Sequence, residues 1–111
     1  MREFSSASIS RAALCAVAVS ACASTVPHPT QFDVTRARAT RPTLTLEQLV
    51  TGRALYVNKC GGCHALFAPR AFSAERWPAE VDEMARRVTL QARDRDLIVG
   101  YLTAMSSAAS R

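Results

Sequence analysis

Two thiols and an imidazole stand together at Cys60-Gly61-Gly62-Cys63-His64. The pattern is C-x-x-C-H, the attachment signature of a c-type haem. Two thiols that add to the two vinyl groups of one porphyrin must lie about one helical turn apart, and a two-residue spacer supplies that distance. The residue that follows, His64, then lies beneath the iron and can donate an imidazole nitrogen as the proximal ligand. Gly61 and Gly62 carry no side chains, which lets the backbone approach the ring.

Two other chemistries use paired cysteines. A dithiol redox site belongs to a βαβ pattern, and the sequence contains no convincing strand. A zinc site needs two pairs of ligands. Outside the N-terminal leader the chain offers only Cys60, Cys63, His64 and His28, and His28 sits in a proline-rich stretch.

The elements around the motif read as helices. Thr45-Leu46-Glu47-Gln48 fits a capping box with Thr45 as N-cap. Leu46, Leu49, Val50, Leu55, Tyr56 and Val57 follow at roughly helical spacing. This helix should run to about Lys59 and deliver Cys60 to the edge of the haem. Gly52 inside it costs about 1 kcal/mol against alanine, a cost that a close helix crossing would explain. A loop with Pro69 follows. A second helix then starts near Trp77, with Pro78 in its first turn. It carries Val81, Met84, Ala85 and Val88 on one face. The last helix starts around Ala92 and should bury Leu97, Ile98, Tyr101, Leu102 and Met105. The expected fold class is therefore all-α: three helices in residues 45–111, a core so small that a covalent haem would supply missing apolar bulk.

The chain has 111 residues and a formal net charge of +5. That length allows one domain. At the start, Arg2 and Arg11 precede an apolar run over 12–21, too short to cross a bilayer. Such a run reads as a secretory signal over 1–21. Val19-Ser20-Ala21-Cys22 resembles the lipobox of bacterial lipoproteins, in which the cysteine is acylated and becomes the first mature residue. Ala21-Cys22-Ala23 also fits ordinary signal cleavage. Either reading exports the chain, to the periplasmic side of a membrane and lipid-anchored in the first case. Residues 22–44 hold Pro27, Pro29, Pro42, Arg36, Arg38 and Arg41 without an apolar period, and read as a flexible tether. Its arginines would be solvated, or would touch lipid headgroups or an acidic partner.

Taken together, Gly52 and Tyr56 before the C-x-x-C-H, Trp77-x-x-x-Val81-x-x-Met84 after it, and Ile98-x-x-Tyr101-Leu102 near the end resemble a small class I-type cytochrome c. The resemblance covers roughly residues 46–105. It implies one covalent haem c, one-electron transfer rather than catalysis by this chain alone, and first and last helices crossing at near right angles. The partners implied are an exported dehydrogenase or a membrane electron-transfer complex; no nucleic-acid partner is expected. Met84 is the expected distal iron ligand, since the only other methionines are Met1 in the leader and Met105 at the end of the last helix. The alternative is an open distal position, as in a haem sensor or ligand-binding protein. Further expectations are a Pro69 carbonyl directed at the outer nitrogen of His64, a Trp77 indole packed on the haem or bonded to a propionate, and Arg70 and Arg76 near the propionates.

Overall fold

A computed structural model describes residues 25–107. The described residues form four α-helices and no strand: α1 (Gln31–Ala37), α2 (Leu46–Cys60), α3 (Trp77–Ala85) and α4 (Ala92–Ser106), with a 3₁₀ turn at Pro69–Ala71 before α3. None of these helices is long and apolar enough to cross a membrane.

The frame is the crossing of α2 and α4. Thr45 caps α2 as its sequence requires: its hydroxyl accepts from the Gln48 N–H at 3.2 Å, and the Gln48 side chain accepts from the Thr45 N–H at 3.0 Å. Such a cap is worth about 1 kcal/mol. Leu49, Gly52 and Tyr56 form the buried face of α2. Tyr56 packs with Ile98, Tyr101 and Leu102 of α4, all inaccessible to solvent, and Leu49 with Ala104 of the same helix. Gly52 marks the closest approach. A β-carbon there would stand 3.0 Å from that of Tyr101 and would collide with the Leu97 carbonyl. The cost of a helical glycine is thus offset by burying two helices against each other at backbone distance.

The helix α3 adds Trp77 and Val81 to the same core. Trp77 meets Tyr56 edge to face with ring centroids 6.3 Å apart. Phe72 meets Trp77 in the same way at 4.9 Å. Burying such rings contributes several kcal/mol, and edge contacts add about 1 kcal/mol each.

Two features differ from the sequence expectation. The first is a fourth helix, α1, within the stretch expected to be a tether. From Val26 to Leu44 the chain is packed onto the domain. Val34 is wholly buried with Leu44, Leu49 and Ala104. Asp33 completes a capping box with Thr30, accepting from its N–H at 2.7 Å and its hydroxyl at 2.8 Å. Tyr101 donates its hydroxyl to the Pro27 carbonyl at 2.6 Å, Arg53 donates to the Val26 carbonyl at 3.0 Å, and Arg36 donates to the Ala104 carbonyl at 2.9 Å. Three buried apolar residues spaced eight and ten apart leave no helical or strand period to read. The second difference is on α2. Val50 and Val57, expected in its apolar pattern, are exposed, whereas Val99 of α4 is buried. The expected signal and the acylation position Cys22 lie outside the described residues.

Candidate functional site

The last turn of α2 carries Cys60, and the chain turns through Gly61 to Cys63 and His64. Cys60 is half-buried against the core and Cys63 is exposed; both thiols are free. Burial pushes the Cys60 thiol above its ordinary value, and the neighbouring Cys63 adds to this. The Cys60 thiol is therefore shifted away from the thiolate that a dithiol redox centre would use.

The two cysteines and His64 line one side of an open cleft of about 240 Å³. Met84 and Val88, on and just beyond α3, line it as well, with Phe67 from the intervening loop. The charged groups Lys59, Glu80, Glu83 and Arg87 also belong to its lining. The structure thus brings four expected residues together around one space: Cys60, Cys63, His64 and Met84. Met105 is absent from this lining and is buried in the helical core.

His64 is exposed, and its Nδ1 lies 2.7 Å from the Ala65 carbonyl oxygen. A carbonyl only accepts, so the neutral ring carries its proton on Nδ1 and keeps the lone pair on Nε2. That is the tautomer a metal-binding imidazole needs. The expected Pro69 contact is not formed. The Pro69 carbonyl instead accepts the buried Trp77 Nε1–H at 2.8 Å. The same bond occupies the Trp77 indole N–H within the protein, so of the two roles expected for Trp77 the bond to a propionate is not the one formed. Proline and indole still serve the site by position. Their bond ties the 3₁₀ turn to the first turn of α3, so the loop after His64 is anchored at its far end. Arg76 is held by Glu80 at 2.7 Å and lies over the Phe72 ring at 4.5 Å.

Phe67 joins the site without a sequence expectation, and Tyr56, expected only in the helix packing, takes a second role. Phe67 is 46 % exposed, with its ring 5.7 Å from His64 and 5.4 Å from Phe72. Tyr56 donates its hydroxyl to the Phe67 carbonyl at 2.9 Å and so clamps the His64 loop to α2. The signal for Phe67 was its place three residues beyond His64, an apolar ring in a loop with nothing else to bury it.

The residues are not gathered as ligands of a point ion. Among the described residues no group of three or more His, Cys, Asp or Glu side chains gathers to hold a metal ion, so Cys60, Cys63 and His64 do not converge as zinc ligands must. They are spread along the rim of a cleft with an apolar wall and an exposed aromatic at its mouth. A β-carbon at Gly62 would meet nothing within 4 Å, which leaves the outer surface of the turn bare. No family model, no curated protein and no solved structure matches this chain.

Proposed function

We propose that this chain is an electron-transfer cytochrome that holds one haem c in the cleft between the end of α2 and α3. The observation that carries the reading is the placement of a complete C-x-x-C-H on the rim of a cleft whose lining includes a methionine thioether. Cys60 and Cys63 would hold the macrocycle through thioether bonds, His64 Nε2 would be the proximal ligand and Met84 Sδ the distal one. A haem bound there supplies a reversible one-electron couple, and a thioether opposite an imidazole raises its potential.

The protein's own part is to hold these groups still. Tyr56 and the Trp77–Pro69 bond fix the two ends of the loop that carries His64. The Nδ1–H bond to Ala65 fixes the imidazole tautomer. Val88 and Phe67 supply apolar surface to the cleft walls. Export to the periplasmic side, with acylation at Cys22 as membrane anchor, completes the proposal and agrees with haem attachment outside the cytoplasm. The partners would be an exported dehydrogenase or a membrane electron-transfer complex.

The test is expression with and without a haem-attachment apparatus. Haem that stays with the polypeptide in acidified organic solvent, and is lost from a Cys60→Ala, Cys63→Ala double variant, is the expected result. Haem extracted from the wild-type chain, or no c-type absorption bands, overturns the proposal.

A further inference from the structure

A second cavity shares no lining residue with the cysteine cleft and is larger, about 670 Å³. It lies beside the α2–α4 crossing. Arg41 and Thr43 line it from the segment that leads into α2, Gln48 from the first turn of α2, and Arg93, Asp96 and Gly100 from α4.

Arg41 reaches toward Gly100 of α4. Its Nη1 stands 2.8 Å from where a β-carbon at Gly100 would be. That nitrogen is the far end of a flexible side chain, and it is the one atom that comes within 4 Å of that position. Yet Arg41 meets no carboxylate among the described residues, and neither does Arg93; the ion pairs of this region lie elsewhere. The one carboxylate of the lining, Asp96, is taken by Arg95 Nη1 at 3.2 Å. Gln48 spends its side-chain oxygen on the Thr45 N–H, which leaves its amide nitrogen as a donor. The Thr43 hydroxyl is a further donor. Arg41 and Arg93 are both solvent-exposed, so the open cavity presents two cations and two neutral donors beside one carboxylate, Asp96, and the planar forks of the two cations suit tetrahedral oxyanions.

We propose that this cavity binds a phosphate-bearing anion through Arg41 and Arg93, with Gln48 and Thr43 as neutral donors. The anion is either a soluble phosphoester or the phosphodiester of a lipid headgroup. This site is independent of haem and of electron transfer.

The test titrates the mature full-length chain with inorganic pyrophosphate and, separately, with glycerophosphoglycerol, a headgroup freed of its acyl chains. Amide signals are followed by NMR against chloride at equal ionic strength. Saturable shifts at Arg41, Arg93 and Gly100 are expected, with binding at least about tenfold weaker in Arg41→Gln and Arg93→Gln, the loss of one charge-assisted bond. Tighter binding of pyrophosphate identifies the soluble source, and tighter binding of the headgroup identifies the lipid. The two variants should keep the wild-type thermal midpoint, because neither arginine is part of a pair that folding relies on. Equal binding by wild type and variants, or no saturable shift with either probe, overturns the proposal.

Discussion

Gly52 of α2 faces the Leu97 carbonyl of α4 so closely that no β-carbon fits between them. Both obstructing groups are near the backbone: the Leu97 carbonyl itself, and the Tyr101 β-carbon at 3.0 Å. Neither can swing aside as a flexible side chain would. Gly52→Ala gains about 1 kcal/mol of helix propensity but forces the helices apart at the centre of the core, at about 3 kcal/mol or more. The expected net loss is about 2 kcal/mol, or roughly 10 °C in the thermal midpoint of a domain this size. Circular-dichroism melting checks this, and an unchanged midpoint would show that the crossing is looser than described.

The pH dependence of stability should be set on the alkaline side by two tyrosines. Burial is the main cause that pushes Tyr56 from its ordinary value of 10 up to about 12, with the Cys60 thiolate adding to it. Burial raises Tyr101 as well. A folded-state value above the unfolded one means that the native chain keeps a proton the unfolded chain has lost. The stabilisation is complete below pH 10 and is lost as pH rises toward 12. Urea midpoints should therefore be nearly level from pH 7 to about 9 and fall steeply above about 10. In Tyr56→Phe that alkaline fall should be shallower, and the unfolding free energy at neutral pH lower by about 1 kcal/mol for the lost bond to the Phe67 carbonyl. An equally steep fall in the variant would move the effect to other groups.

The path from sequence to structure was clear where local chemistry is dense. The Thr45–Gln48 capping box, the C-x-x-C-H at the end of α2 and the glycine at a helix crossing each follow from residues a few positions apart. What did not follow depends on distant contacts. Val26, Val34 and Leu44 are too sparse to show a period, and only the groove beside α4 reveals what they bury against. Thr30 and Asp33 form a capping box that a proline-rich context concealed. The Pro69 carbonyl had two geometrically reasonable donors, and burial of the Trp77 indole decided between them, because an unpaired buried N–H costs about 1–3 kcal/mol.

Met84 is half-buried and packs against the core as well as lining the cysteine cleft. Met84→Ala should therefore do two separable things. In the haem-free chain it should cost about 1–2 kcal/mol, the loss of a partly buried side chain. In the haem-loaded chain it should abolish the weak near-infrared band of oxidised thioether–iron coordination and lower the reduction potential, because sulfur favours the ferrous state. A band that survives in Met84→Ala and disappears in Met105→Ala would transfer the ligand role to the buried residue of α4.

An anchor at Cys22 would act over a very short distance. The chain is ordered from Val26 onward, where the carbonyl accepts from Arg53 at 3.0 Å, so only a few residues separate Cys22 from the folded domain. At about 3.5 Å per extended residue the reach from Cys22 to Thr25 is about 10 Å. An acylated chain would hold its domain against the bilayer rather than swing it on a long tether. Two measurements check this. Intact mass should show a mature chain that begins at a diacylated or triacylated Cys22. Native trypsin treatment of membranes should then leave the haem domain attached, because Arg36, Arg38 and Arg41 lie in hydrogen-bonded backbone packed on α4 and α2. Release of a soluble haem domain cut at these arginines would show that 26–44 opens as a tether. A mature chain beginning at Ala23 or Ser24 would leave a carrier free of the membrane.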